Sequence, residues 1–550
     1  MSWWKERVVY QIYPRSFQDS NGDGVGDIPG IISRLDEIKA LGVGVIWLSP
    51  VYRSPDADNG YDISDYRDIN PKFGTMADME ELFSQASKRD IRIIMDLVIN
   101  HTSDEHEWFQ KSRDKDSPYR DCYIWRPGKP GGKPPNNWTG FFMDGAWEYD
   151  AQSGEYYLHL FHKKQPDLNY HNPKVIQEAK DIMRFWLDKG AAGFRCDVIN
   201  VIYKTSLEDG KRRLAVRGLE HFKSQEGAHE ILKELRRDVL DGYDCFTVGE
   251  SAFVDLDDAR LLCDPERKEL DMVFYFDHLE TDRRVARYIP KKFKAKKLLN
   301  VLTKWQQGLD WNAVYLENHD QPRIVSHYGD DGLFWERSAK LLATMQLTLR
   351  GTPFIYQGQE IGMTNFDFTG MAQLNDVESF NIDRIMRSLR IPAGLRWYWI
   401  RTASRDNSRT PVQWDASPGA GFTGGTPWLG INGNHVRINY SDQQGKEDSV
   451  LSYYKKMVAL RASSDTLKYG GFAPAYARGG VIAYTRALGE ERYITILNFS
   501  KKPARVTLDS IAVGGPGSSA AGASVAASNT GRETFDGALE PWEAVVLLRK

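Results

Sequence analysis

Short apolar runs recur along the first two-thirds of the chain, at 8–13, 44–48, 91–97, 193–198, 245–249, 272–276, 313–317 and 353–356. Between several of them the apolar spacing lengthens to the helical repeat, as at 31–41, 76–88, 175–187 and 333–349. Strand-like runs alternating with helical segments predict an α/β fold, a parallel (β/α)8 TIM barrel. In such a barrel the chemistry sits at the C-terminal ends of the strands.

Two stretches break the alternation. Residues 102–173 follow the third run without supplying a fourth and are rich in Pro, Gly, Asn and aromatics, as in Arg126-Pro127-Gly128-Lys129-Pro130-Gly131-Gly132. An insertion of that length reads as a subdomain rather than a loop. After a helical pattern at 450–461, short alternating runs at 481–486, 493–498 and 544–548 predict a C-terminal antiparallel β domain. The expected division is therefore 1–101 and 174–468 for the barrel, 102–173 for the insertion and 469–550 for a β-sandwich. Within the last, the Gly/Ser/Ala-rich stretch 514–531 reads as a mobile surface loop without core-forming residues.

A chain of 550 residues is too long for one core, which agrees with several domains. Lys and Arg number 72 against 75 Asp and Glu, so charge gives no reason to expect nucleic acid or an anionic membrane as partner. The basic run Lys291-Lys292-Phe293-Lys294-Ala295-Lys296-Lys297 reads as a solvated approach to a helix. The four cysteines, Cys122, Cys196, Cys245 and Cys263, have neither metal spacing nor disulfide density. No apolar stretch is long enough to span a bilayer, and Met1-Ser2-Trp3-Trp4-Lys5 leads straight into the first strand. The expectation is a reduced, cytoplasmic monomer.

Three strings carry the chemistry: Gly193-Phe194-Arg195-Cys196-Asp197, Val248-Gly249-Glu250 and Asn318-His319-Asp320. Each sets a carboxylate at the end of an apolar run, and Asp96-Leu97-Val98-Ile99-Asn100-His101 completes the set. Two acids in unlike environments are what glycosidic cleavage requires. Arg195 and Asp197 are two apart on a strand and share a face, so the guanidinium favours ionised Asp197. Glu250 has no cation in its local sequence, which favours its protonated form.

With Tyr10-Gln11-Ile12-Tyr13-Pro14-Arg15-Ser16-Phe17, these strings resemble the α-amylase superfamily (glycoside hydrolase family 13) of retaining α-glucosidases. Within it the likeness is to the oligo-1,6-glucosidase, dextran glucosidase and sucrose isomerase group, over nearly the whole chain. The resemblance implies that 102–173 is a B domain capping the pocket. It makes Asp197 the nucleophile, Glu250 the acid/base, and Asp320 a ligand of the sugar hydroxyls. His101 and His319 would hydrogen-bond the same ring. Tyr61 would stack on it and Asp58 would grip its outer hydroxyls. An arginine of Arg405-Asp406-Asn407-Ser408-Arg409-Thr410-Pro411 would pair with Asp58 and block the floor, with Arg409 favoured over Arg405; a blocked floor implies exo action. Phe142, Phe161 and Gln165 would line the mouth. Val198, next to the nucleophile, accompanies α-1,6 preference in relatives, a shape effect of about 1–3 kcal/mol.

Asp19-Ser20-Asn21-Gly22-Asp23-Gly24-Val25-Gly26-Asp27 alternates oxygen donors with glycines like the first part of an EF-hand loop, without its last glutamate. Hard oxygen donors suit Ca²⁺, or Mg²⁺ with more waters. The resemblance implies a structural Ca²⁺ held by Asp19, Asn21, Asp23, Asp27 and the Val25 carbonyl; no organic cofactor is expected. The leading expectation is a retaining exo-α-glucosidase for short α-1,6-linked substrates such as isomaltose, isomaltooligosaccharides and isomaltulose. Alternatives are a sucrose isomerase, an α-glucosidase acting on sucrose or maltose, a trehalose-6-phosphate hydrolase, and a catalytically dead relative. Against isomerisation, Phe276-Asp277-His278-Leu279-Glu280-Thr281-Asp282-Arg283-Arg284 lacks the isomerase pattern Arg-Leu-Asp-Arg-Asp. The aromatic stretch 384–401, with Trp397, Tyr398 and Trp399, has no assigned role.

Overall fold

A computed structural model describes residues 2–213, 215–284, 288–511, 520 and 522–550. One sheet is built from β1 (Val9–Ile12), β2 (Val45–Leu48), β3 (Arg92–Leu97), β4 (Gly193–Cys196), β5 (Phe246–Glu250), β6 (Met272–Phe274), β7 (Ala313–Tyr315) and β8 (Thr352–Tyr356). Its order is β6-β5-β4-β3-β2-β1-β8-β7, and every hydrogen-bonded pair is parallel. The outer strands β6 and β7 approach each other, with the Phe274 and Tyr315 rings 5.0 Å apart across the seam. This is a (β/α)8 barrel. Gly193 opens β4 at φ 136°, and a Cβ there would stand 1.9 Å from the Phe246 carbonyl oxygen, so only glycine fits.

The helices around the barrel start where their caps dictate. Thr75 and Asp78 form a reciprocal cap on the helix Met76–Ser87, and Asn172 with Pro173 opens the helix Pro173–Asp188. The helical pattern at 31–41 is divided: Asp27 caps Ile28–Ser33, and Arg34, at φ −111° and ψ 8°, separates it from Leu35–Ala40. Between β3 and β4 lies a three-stranded antiparallel sheet of Trp125–Arg126, Trp147–Asp150 and Glu155–Leu158. Its core is not self-contained. Trp138, Trp147, Leu158 and Leu160 pack with Val198, Val201, Val216 and Phe222 from the loop after β4.

The C-terminal sheet contains β9 (Gly471–Arg478), β10 (Val481–Leu488), β11 (Glu491–Asn498), β12 (Ser524–Ser528) and β13 (Ala544–Arg549), antiparallel in the order β9-β10-β11-β13-β12. The expectation of a coreless loop at 514–531 is therefore corrected. β12 lies inside that stretch, and Ala520 and Ala527 are 1% and 2% exposed. Ala520 packs in the cluster with Val481, Ile494, Val506 and Leu547, a contact that composition does not reveal. Residues 514–519 and 521 of the stretch lie outside the described residues. Among the described residues no helix is long and apolar enough to cross a membrane.

Candidate active site

Register sets the first layer of the site. Asp96 on β3 is the pairing partner of Arg195 on β4, and Val248 on β5 lies on the other side of Arg195. The same rim therefore carries Asp96, Arg195 and, two residues beyond Val248, Glu250. Arg195 is 1% exposed. Its Nη1 donates to Asp96 at 2.7 Å and to Asp197 at 2.6 Å, and its Nη2 donates to Glu250. The guanidinium lies over the rings of Trp47 and Tyr61.

One expectation changes here. Glu250 has a cation after all, supplied by a neighbouring strand rather than by its own sequence, and it is the same cation that holds Asp197. Burial is common to both acids, so what separates them is the charge around each, their own mutual repulsion included. Burial pushes Glu250 up to about 8 against the pull of Arg195, and the charges of Asp197 and Asp320 raise it further. Burial likewise pushes Asp197 up, to about 7, with Arg195 opposing. The two acids therefore titrate as a pair near neutrality, with the higher value on Glu250, the side suited to holding the proton.

Asp96 is fully buried and accepts from Trp47 Nε1 at 3.2 Å and from the Tyr61 hydroxyl at 3.1 Å. The Tyr61 ring lies parallel to His319, 5.3 Å away at 7°, with its hydroxyl 2.7 Å from Nε2. His319 Nδ1 faces the Gln11 amide nitrogen at 2.8 Å. That amide donates, so Nδ1 accepts and Nε2 carries the hydrogen. Burial lowers His319 to about 3 and His101 to about 4, so both rings are neutral at physiological pH.

Asp58 is held from two sides. Gln165 Nε2 donates to it at 3.2 Å, and Arg405 stands 3.8 Å from its other oxygen. The expected partner, Arg409, is not the one that meets it. Arg409 bonds Asp320 at 2.7 Å and the His319 carbonyl at 2.9 Å, while Arg405 bonds Asp376 and approaches Asp320 at 3.3 Å. The two arginines bracket one short helical turn, Asp406–Arg409, so they point the same way from successive levels. Spacing alone could not say which level reaches the cavity.

These groups surround a hollow of about 660 Å³. Of the expected residues, Asp58, Tyr61, His101, Phe142, Phe161, Gln165, Asp197, Val198, Glu250 and Asp320 line it, together with Arg405. Arg195, His319 and Arg409 are not among the lining side chains and are at most 2% exposed. Asp197 and Glu250 thus face one cavity. Val198 differs from expectation in conformation: β4 ends at Cys196, and Val198 turns out of it at φ 37° and ψ 39°. A β-branched residue in the left-handed region is strained, and such strain gathers at functional sites.

The loop 19–27 lies apart from this cavity. Asp19 accepts from the amides of Asn21, Gly22 and Gly24 and from the Thr423 hydroxyl, Asn21 accepts from Asp23, and Asp23 accepts from Val25. Asp27 caps the helix Ile28–Ser33 and accepts from Ser20. The donor chemistry, hard oxygens at alternate positions, fits a calcium-like ion. Among the described residues no three Asp, Glu, His or Cys side chains gather into a metal-holding group.

The family profile described as "Alpha amylase, catalytic domain" matches residues 11–470. The chain belongs to the alpha-amylase family. An oligo-1,6-glucosidase of Parageobacillus thermoglucosidasius is 51% identical over 512 residues, covering 91% of each chain. A trehalose-6-phosphate hydrolase of Bacillus subtilis (strain 168) is 44% identical over 522 residues, covering 93% of this chain and 92% of that one. The crystal structure of isomaltulose synthase from Klebsiella sp. LX3 superposes with a TM-score of 0.95 at 43% identity, over 100% of both chains. The protein is accordingly a glycoside hydrolase.

Several residues of this hydrolase's cavity escaped the sequence reading. Asp96 stands behind the cavity wall, fully buried against Arg195, and its motif suggested no role for it. Phe141, Phe253, Phe276 and Arg283 line the cavity. The unexplained stretch 384–401 belongs to a helical pair, Val377–Ser388 and Ala393–Ala403. Trp397 and Trp399 pack beside Phe368, Ile382, Met386 and Ile400, and this pair delivers Glu378, Ala403 and Arg405 to the cavity. Only the packing of the pair makes its aromatics intelligible.

Proposed function

We propose that this glycoside hydrolase is a retaining exo-α-glucosidase acting on non-reducing terminal α-1,6-glucosidic linkages of short oligosaccharides such as isomaltose, isomaltooligosaccharides and isomaltulose. The observation that carries the reading is the single Arg195 guanidinium bonded to both Asp197 and Glu250 at the wall of one cavity. Two carboxyls gripped by one guanidinium stand close together. Such closeness supports a nucleophile paired with an acid, since inversion needs carboxyls about 6.5–9.5 Å apart with a water between. Asp197 would attack the anomeric carbon while Glu250 gives its proton to the leaving oxygen, and Glu250 would then take a proton from the water that frees the sugar.

Exo action is supported by the Asp58–Arg405 pairing, with Gln165 and Asp320 beside it, which closes one end of the cavity with charged groups. The α-1,6 preference is supported by Val198 at the wall beside Asp197 and by the oligo-1,6-glucosidases among the relatives. Rates on isomaltose, isomaltulose, maltose, sucrose and trehalose 6-phosphate test the reading. The expected result is single glucose units released fastest from the α-1,6-linked substrates. Isomaltulose or trehalulose accumulating from sucrose as the main product would replace the hydrolase with an isomerase.

The pKa ordering predicts a bell-shaped pH profile near neutrality. Activity falls as pH drops through about 7, where Asp197 gains a proton, and as pH rises through about 8, where Glu250 loses its own. Initial rates of kcat/KM from pH 5 to pH 10 check this; a profile flat across that range would contradict the assignment.

For the loop 19–27 the donor set supports a structural Ca²⁺ held by Asp19, Asn21, Asp23, Asp27 and the Val25 carbonyl. A bound ion there would tie the first barrel loop to the segment at Thr423. Excess EDTA should lower the melting temperature by at least about 2 °C, with activity per folded molecule unchanged. A melting temperature unmoved by EDTA would remove the ion from the account.

A further inference from the structure

The cavity does not stop at the two acids. A second hollow of about 480 Å³ adjoins it, and Ala215, Val216 and Phe253 belong to the walls of both. Phe253 is 56% exposed, and its backbone is left-handed at φ 51°. Its ring lies 5.9 Å from Phe141 at 18°, and Phe141 lies 4.7 Å from Phe161 at 1°. Three near-parallel rings therefore run from the catalytic cavity out to solvent. An apolar ring left in water on a strained backbone is unfavourable on both counts. The C–H face of a pyranose is the kind of surface that would cover it. Val216, at φ 49°, shares this strained wall.

The charges at this rim argue for a neutral occupant. Arg213 is paired with Glu220 at 3.4 Å, Lys223 with Asp258 at 2.6 Å and Lys304 with Asp277 at 2.9 Å. Cations already held by carboxylates are poor partners for a phosphate.

We propose that Phe253, backed by Phe141, is a specificity-determining platform for sugar rings beyond the first aglycone unit, selecting neutral glucosides of three or more units. This rests on the α-glucosidase reading, so the test separates the two. Dissociation constants for isomaltose and isomaltotriose are measured by calorimetry in Asp197→Asn protein, with and without Phe253→Ala or Phe253→Tyr. The trisaccharide should bind more tightly than the disaccharide. Phe253→Ala should shrink that advantage about three- to tenfold, the scale of one aromatic contact, and Phe253→Tyr should restore it. An advantage unchanged in Phe253→Ala overturns the platform, as does tighter binding of trehalose 6-phosphate than of isomaltotriose. Because binding is read directly, failure of the wild-type protein to hydrolyse α-1,6 linkages would sink the glucosidase reading while the platform is still decided.

Discussion

Asp197→Asn is expected to cut kcat/KM on every glucoside by about 10⁴-fold or more, because it removes the only oxygen assigned to attack the anomeric carbon. The fold should survive intact. Arg195 keeps Asp96 and Glu250 as acceptors, and the amide oxygen can still take a bond from Nη1. Stability should hold or rise. The folded aspartate has a pKa raised to about 7 by burial, so its ionised form costs stability once pH exceeds the value in the unfolded chain. A neutral side chain removes that cost at neutral pH. Thermal melts alongside kinetics decide between this outcome and simple unfolding, which would lower both together.

Glu250→Gln should behave differently. Loss of a general acid is worth about 10²–10⁴-fold on natural sugar aglycones. On a glucoside whose leaving group needs no proton, such as glucosyl fluoride, the first step should be nearly spared. The second step still lacks its base, so the covalent form should accumulate. The alkaline limb of the pH profile should also disappear, since the group losing its proton near 8 is gone. Equal losses on both kinds of substrate would show that Glu250 does something other than proton transfer.

The barrel was legible because its strands are short apolar runs with helical spacing between them, a pattern each strand carries in its own sequence. The acids were legible for the same reason: Asp197 and Glu250 lie within a residue of their strand ends. Contacts made across strands were not. Nothing local to Val248-Gly249-Glu250 says that the arginine of β4 reaches it, and nothing in Arg405–Arg409 says which arginine faces Asp58. Phe253 was missed because one phenylalanine in a loop carries no pattern; its meaning lies in the stack with Phe141 and Phe161. The alanines of 514–531 were misread because composition counts them as weak, whereas packing asks only whether they fill the space available.

The most direct test mixes Glu250→Gln protein with α-glucosyl fluoride, quenches in acid and maps the protein by mass spectrometry. The account predicts a gain of one glucosyl residue on the peptide containing Asp197, and α-glucose as the first sugar the wild-type protein releases. Glucosyl carried on another residue, or β-glucose released first with no adduct at all, would contradict it.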